Sequence, residues 1–458
     1  MEQRHLHHLY NRAAFGISPE DFIRLRNTPQ DIVVRDLFSA SKTYNPLHIP
    51  TPKINSLVDE MLKTRKLKRL PVLIKKSRMK QIELNHEWFM KMTSTKTILR
   101  ERMVLFWTNH FVCRDNNILF IQQYNNTLRK HALGNFRDFL IAVSKEPAML
   151  NYLNNQQNRK WSPNENFARE LMELFTLGQG NYTENDVKEA ARAFTGWRHN
   201  AKGEFKFAKR QHDIGQKTFF GKTGYFVGED IIDMILAHPA CARFICTKLY
   251  RYFVNEHVNE VHVKELSEVF RKRYEIEEVL NYMFTIEWFY DGKNIGSKIK
   301  SPLDFLVGIA RVVPYSFNNP KQLIYVQKLL GQILFLPPNV AGWPGGKNWI
   351  DANTLMTRLM LPSVLLNNGS IAFDVKGEFE DKAEQFEKNK NFNRKLSINK
   401  NWDTFQKHFR AFSKEELVLF LIGNSLNEET RQFLNSLEDE SKKNFCVQLM
   451  SLPEYQLC

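Results

Sequence analysis

The stretch Pro163–Gly178, reading P-N-E-N-F-A-R-E-L-M-E-L-F-T-L-G, constrains the fold of this chain more than any other segment. Its spacing predicts a helix of about four turns. Phe167, Leu171, Leu174 and Phe175 would share one apolar face. Glu165, Arg169 and Glu173 recur every four residues on another face, where the guanidinium reaches a carboxylate on either side. Glu170 lies nearer the apolar stripe, and Met172 and Leu177 add apolar surface elsewhere. The pattern therefore predicts that Glu165, Arg169 and Glu173 are largely buried and that Arg169 is ion-paired. Unpaired buried charge costs several kcal/mol. The segment is thus either an internal ion-pair lattice or the wall of a polar site.

Helical patterning also dominates the remainder. Ser18-Pro19 has the form of a helix start with proline in the first turn, and Thr183 reads as an N-cap with Asp186 at N3. Ile82 to Cys113 is strongly helical, mostly apolar from Ile98 onward, and interrupted by Arg100-Glu101-Arg102 and Thr108-Asn109-His110. Gly203 to Gly228 alternates polar and aromatic residues and reads as an irregular or short β insert. Leu336 to Ile350 is a loop rich in Pro, Gly and Trp. The expected fold is mainly α: a large multi-helix single domain over about residues 1–370, with a basic helical excursion at 57–80 broken at Pro71. A charged linker or insertion follows at 371–402, and a small helical C-terminal extension at 403–458.

A length of 458 residues, 43% hydrophobic and 25% charged, is that of a globular protein with one large core or several domains. No apolar run reaches the ~18 residues needed to span a bilayer. The start at Met1-Glu2-Gln3-Arg4 has no apolar leader, so a cytoplasmic protein is expected, with export open to a chain whose leader has been removed. The cysteines (Cys113, Cys241, Cys246, Cys446, Cys458) include no C-x-x-C pair, which argues against a disulfide framework and a thiolate zinc site. Much of the net charge of +15 is local to Lys63–Lys80, which contains no acid. Without interleaved aromatics this block reads as a solvated basic face, and nucleic acid is not the expected partner.

Several further segments occur in a fixed order: Tyr182–Trp197 (Y-T-E-N-D-V-K-E-A-A-R-A-F-T-G-W), His212–Gly221 (H-D-I-G-Q-K-T-F-F-G), His238–Leu249 (H-P-A-C-A-R-F-I-C-T-K-L) and Pro337–Gly346 (P-P-N-V-A-G-W-P-G-G). Together with Pro163–Gly178 they make the chain resemble the bacterial family catalogued as domain of unknown function 1800, from about Leu9 to Leu457. The resemblance implies no established activity. For many members it implies export and a gene neighbour of sulfatase-like character, and this chain departs from that in showing no leader. Lys63–Lys80 and Val375–Trp402 are peculiar to it.

Four places carry candidate chemistry. Carboxylates at helical spacing ligate divalent metals or work as acid and base when their environments separate their pKa values. On that reading Glu170 or Glu173 is ligand or general base, Arg169 the orienting cation, and Glu165 a further metal ligand. His110, near the end of an apolar helix, is a ligand, a proton carrier or a core histidine. His212 and Asp213 sit in a glycine-containing loop with Lys217, where they would ligate a metal or position a proton. Gly342-Trp343-Pro344-Gly345-Gly346 is a stacking surface for a ligand or a rigid turn plugging the core. No nucleophile elbow, P-loop, dinucleotide fingerprint or H-E-x-x-H signature occurs. Two functions follow as expectations. One is a metal-assisted or acid/base, hydrolase-like enzyme with a possible divalent metal and a small-molecule substrate. The other is a non-catalytic scaffold or partner-binding protein in which the charged helix is structural. An anion or nucleic-acid binder using Lys63–Lys80 is a third. If a site exists, His110 or His212 should lie within about 5 Å of a carboxylate on the charged helix.

Overall fold

The computed structural model describes residues 1–64, 69–367, 396–423, 426–437 and 439–458. It is mainly α. Helices α1 (Gln3–Ala13), α2 (Pro19–Leu25), α3 (Gln30–Ala40), α4 (Pro52–Thr64) and α5 (Leu70–Ser94) lead into α6 (Ile98–His110), α7 (Ile118–His131), α8 (Phe136–Ser144) and α9 (Pro147–Tyr152). Helices α10 (Asn166–Glu173) and α11 (Glu184–Ala193) precede two small antiparallel hairpins, β1 (Trp197–His199) with β2 (Phe205–Phe207) and β3 (Lys217–Phe219) with β4 (Lys222–Gly224). Then come α12 (Gly228–Ala237), α13 (Pro239–Phe253), α14 (Glu260–Arg273), α15 (Ile276–Thr285) and α16 (Pro302–Val312). Strand β5 (Tyr315–Phe317), α17 (Pro320–Leu329), α18 (Ala352–Leu366), β6 (Ile398–Lys400), α19 (Trp402–Phe409), α20 (Lys414–Ile422), α21 (Glu428–Asn435) and α22 (Lys442–Met450) complete it.

Local start signals behave as their chemistry dictates. Ser18 accepts from Asp21 N at the head of α2, and Thr183 closes a capping box with Asp186 at the head of α11. Pro71 lies in the first turn of α5, where its missing N–H costs nothing, so it starts that helix rather than breaking it. Residues 65–68 of the basic excursion lie outside the described residues.

Helix α6 is the axis of the core, with every residue but Asn109 buried. Its polar interruption is closed residue by residue. Arg100 donates to the carbonyls of Ser41 (2.9 Å) and Arg129 (2.8 Å). Glu101 takes the Arg129 guanidinium in a two-pronged pair at 2.8 and 3.0 Å, and the Trp88 indole N–H at 2.9 Å. Arg102 pairs with Asp304 of α16. Each charge thus has the hydrogen-bonded partner that burial requires.

The C-terminal residues contact earlier elements of the chain. Strand β6 pairs antiparallel with β5, with Tyr315 opposite Lys400, and α22 packs against α18. Ile299 bridges Leu457, Lys300 N donates to Gln456 O (2.8 Å) and Cys458 N to Lys298 O (2.8 Å). Of the charged stretch expected at 371–402, residues through 395 lie outside the described residues, while Leu396 is buried and β6 belongs to the core edge.

Candidate functional site

Helix α10 is shorter than its sequence pattern suggests. It spans Asn166–Glu173, eight residues and about two turns, where about four were expected. Ahead of it, Asn164 Oδ1 accepts from Asn166 N (3.1 Å) in a side-chain turn that holds the preceding backbone out of the helix. Behind it, Leu177 N and Gly178 N both return to Met172 O (2.8 and 3.1 Å), and Gly178 takes a left-handed φ of +80°. That turn seats Gly178 against the Phe244 ring.

The charged face of α10 is half-exposed, which corrects the expected burial of Glu165, Arg169 and Glu173. The Arg169 side chain keeps 33% of its surface and Glu165 keeps 37%. The cause is what lies opposite: the head of α11 covers this face with its own polar residues rather than with apolar packing. Arg169 is ion-paired, as its spacing predicts, to Glu165 at 3.2 Å. Its stronger partner is Glu184, gripped through both carboxylate oxygens at 2.7 Å. Glu173 accepts from Tyr182 Oη (2.8 Å) and Gln179 Nε2 (2.7 Å). Glu170 alone has no side-chain partner among the described residues, and burial, then the neighbouring Glu173 charge, raise its pKa.

His110 closes the other end of α10. It is buried among Phe106, Trp107, Phe111 and Phe175, and its Nε2 lies 3.0 Å from Phe175 O. A carbonyl only accepts, so His110 is the Nε2–H tautomer and Nδ1 is left bare. Burial, then Lys248, push its pKa well below the usual histidine value. Lys248 donates to Leu174 O at 3.0 Å and is lowered to about 8 by burial. The last carbonyls after α10 are therefore met by Lys248 and His110, the ordinary needs of a helix C-terminus.

His212 and Asp213 sit elsewhere, in a web around Thr195. His212 Nδ1 lies 2.9 Å from Thr195 O, and Asp213 N donates to Thr195 Oγ1 at 2.8 Å. Burial raises the Asp213 carboxyl, but the Arg192 guanidinium at 2.7 Å, the Gly215 N–H and the Lys217 charge together outweigh it and hold it below its usual range. Lys217 donates to Asp213 O (2.7 Å) and Gly215 O (3.0 Å). Neither histidine is ion-paired to an acid of α10, and no three His, Cys, Asp or Glu side chains among the described residues form a group able to hold a metal ion. The Gly342–Gly346 loop is a plug: Asn109 Oδ1 accepts from Trp343 N at 2.6 Å, Trp343 is buried, and a Cβ on Gly342 (φ +89°) would collide with Asn109.

Glu184, Tyr182 and Lys248 went unremarked as partners in the sequence. Tyr182 and Glu184 flank the Thr183 N-cap, and that nearness to α10 was the available signal. Lys248 had none.

A family model described as "Protein of unknown function (DUF1800)" matches residues 8–457. No curated protein and no solved structure matches the chain.

Proposed function

Because the chain belongs to the DUF1800 family over almost its whole length, a membership that names no reaction, we propose a function from the geometry: a non-catalytic, partner-binding helical scaffold in which the charged helix is a structural clasp. One observation carries it. Glu165 at the head of α10 and Arg169 and Glu173 within it are spent on one another and on Glu184, Tyr182 and Gln179. His110 is tied through Nε2 to Phe175 with Nδ1 bare, and Asp213 and His212 are held by Arg192 and Thr195. Metal ligands and acid/base groups must point at a substrate instead.

The partner face we assign is the α4–α5 arm. Leu62, Leu70, Val72 and Met79 are exposed there among Lys63, Arg69, Lys75, Lys76 and Arg78. Apolar contact ringed by positive charge suits an acidic protein surface. Among the described residues no helix is long and apolar enough to cross a membrane. A second reading rests on Glu170, whose raised pKa and lack of a partner suit a general acid or base, with Glu173 and Arg169 beside it.

The test is elemental analysis of purified protein by inductively coupled plasma mass spectrometry, for the wild type and for the triple variant Glu165→Gln, Glu170→Gln, Glu173→Gln. The scaffold reading expects less than about 0.1 divalent metal per chain in both, and a folded variant, since polar surface changes cost little. Stoichiometric metal that the triple variant loses would overturn it in favour of the metal-assisted enzyme.

A further inference from the structure

Glu146 stands at the head of α9, a position that favours short polar side chains able to cap the first turn. Its own side chain makes no such cap, and Pro147 begins the helix without it. The carboxyl group reaches α7 instead, and the residue is 7% exposed. Thr127 Oγ1 of α7 donates to Oε1 at 2.6 Å, while Oε2 is buried with no partner among the described residues. A carboxylate accepts at both oxygens and carries a charge that a dry interior penalises.

The groups around it are acids or are engaged elsewhere. Burial, then Asp115 and Glu146, raise the Cys113 thiol; burial, then Cys113 and Glu146, raise the Tyr124 phenol. Asp115 is held by Asn151 Nδ2 (2.9 Å) and Asn117 N (2.7 Å), and His199 of β1 meets the same Asn151 through Nε2 (2.8 Å). Tyr152, at the other end of α9, is raised by burial, then by Cys113. Lys145 after α8 pairs with Glu229 at 2.6 Å, and Arg129 of α7 pairs with Glu101. Among the described residues no cation lies in salt-bridge reach of Glu146. Burial pushes its carboxyl up to about 7, against the opposing pull of Thr127 and Gln123.

Gln123, one turn before Thr127 on α7, links this acid to the β1–β2 hairpin. Its Nε2 donates to Gly203 O at 3.2 Å, and Gly203 takes a left-handed φ of +84° in the turn between the strands. A Cβ there would stand 2.9 Å from Gln123 Oε1, so the amide is seated against the turn.

We propose that Glu146 is a proton-operated latch between α7 and the β1–β2 hairpin. As the neutral acid it leaves the Gln123 amide on Gly203. As the carboxylate, its proton lost to water, its bare oxygen takes the Gln123 N–H and the turn loses that tie. A charged acceptor holds an N–H roughly twice as strongly as a carbonyl does. An unfolded glutamate titrates near 4.5 and the folded one near 7, so the folded chain binds more protons between those values. The stability Glu146 contributes is therefore full below about pH 4.5 and lost as pH rises through about 7. The latch is independent of the clasp on α10 and of the α4–α5 arm.

The test follows the full chain from about pH 5 to about pH 8, wild type against Glu146→Gln. In urea, the wild-type unfolding constant should rise up to about tenfold per pH unit more than the variant's between about pH 5 and about pH 7. The infrared carbonyl band of a protonated carboxyl group should be stronger in the wild type at the acid end and lose that excess with a midpoint near 7. Hydrogen exchange of a peptide carrying residues 200–204, corrected for its intrinsic pH dependence, should rise across the same midpoint in the wild type and stay level in the variant. Parallel unfolding profiles with no excess band would mean that Glu146 is ionised in the folded chain, and would overturn the proposal. A titrating Glu146 with level exchange at 200–204 would overturn it too, because the acid would then move nothing. Should Glu146→Gln fail to fold, the wild-type band and exchange decide the matter, and only a shared midpoint near 7 supports the latch.

Discussion

Helices α6 and α10 both carry an Arg and a Glu side by side in an apolar setting, yet the fold treats them differently. Glu101 of α6 and its partner Arg129 of α7 are both 0% exposed, and every oxygen of the carboxylate is used. In α10, Arg169 and its partners Glu165 and Glu184 keep 33%, 37% and 68% of their side-chain surface. A water-exposed pair gains little, because solvent competes for both groups and salt screens what remains. A buried pair is a commitment: its worth lies in what breaking it exposes. The interior cluster should therefore govern stability and the half-exposed clasp should trim it.

The largest effect tests that ranking directly. Glu101→Gln keeps size and one acceptor oxygen but leaves the Arg129 guanidinium charged in a dry core. A loss of about 3–5 kcal/mol in urea unfolding is expected. Replacing both partners, Glu101→Leu with Arg129→Met, should recover most of that loss, because no orphaned charge remains. A cost near that of an exposed pair for the single change would erase the distinction between the two helices.

How far the sequence foretold these regions depends on the range of the interactions involved. The Ser18 and Thr183 caps and the Arg169–Glu165 pair are four residues long or less, and local spacing was enough to place them. The apolar setting of His110 was legible in the same way. Its partner was not, since Phe175 lies 65 positions away and is chosen by how α10 docks. The apolar stripe of α10 overstated its burial because periodicity reports which residues prefer the core, not whether the facing element is apolar. Here that element is the head of α11, which presents Glu184. The Arg100-Glu101-Arg102 run read as an interruption of an apolar helix, and only the arrival of Arg129, Trp88 and Asp304 makes it the polar heart of the core. The ties of the C-terminal residues to Lys298 and Lys300 reach back about 160 positions, which no local pattern foretells.

A middle-sized effect lies at His110, which ends α6 and caps the turn after α10, and so joins the two regions. Unfolded, its imidazole takes a proton near pH 6.5. Folded, burial keeps it neutral until well below that. Between those values the unfolded chain binds more protons, so stability rises with pH and is lost as pH falls below about 6.5. His110→Gln retains an N–H for Phe175 O but cannot titrate. Urea unfolding at about pH 6 and pH 5 should show the wild type losing up to about 1.4 kcal/mol more than the variant over that unit. Parallel losses would mean that His110 is protonated in the folded state, and so faces an acid after all.

The smallest effect belongs to the clasp. Arg169→Met retains the side-chain stem and removes the pairs with Glu165 and Glu184. Both partners then face water rather than a dry core, so neither is left costly. A loss of about 0.5–1 kcal/mol is expected at low ionic strength. It should shrink toward zero near 1 M salt, where the screening length falls to about 3 Å. The companion change Glu184→Gln should cost no more than Arg169→Met, and the two together little beyond either one, because they break the same contact. A salt-independent loss above about 2 kcal/mol would mean that α10 depends on its charges as α6 does. The two helices would then differ in exposure but not in role, and the polar face of α10 would again be a place to look for chemistry.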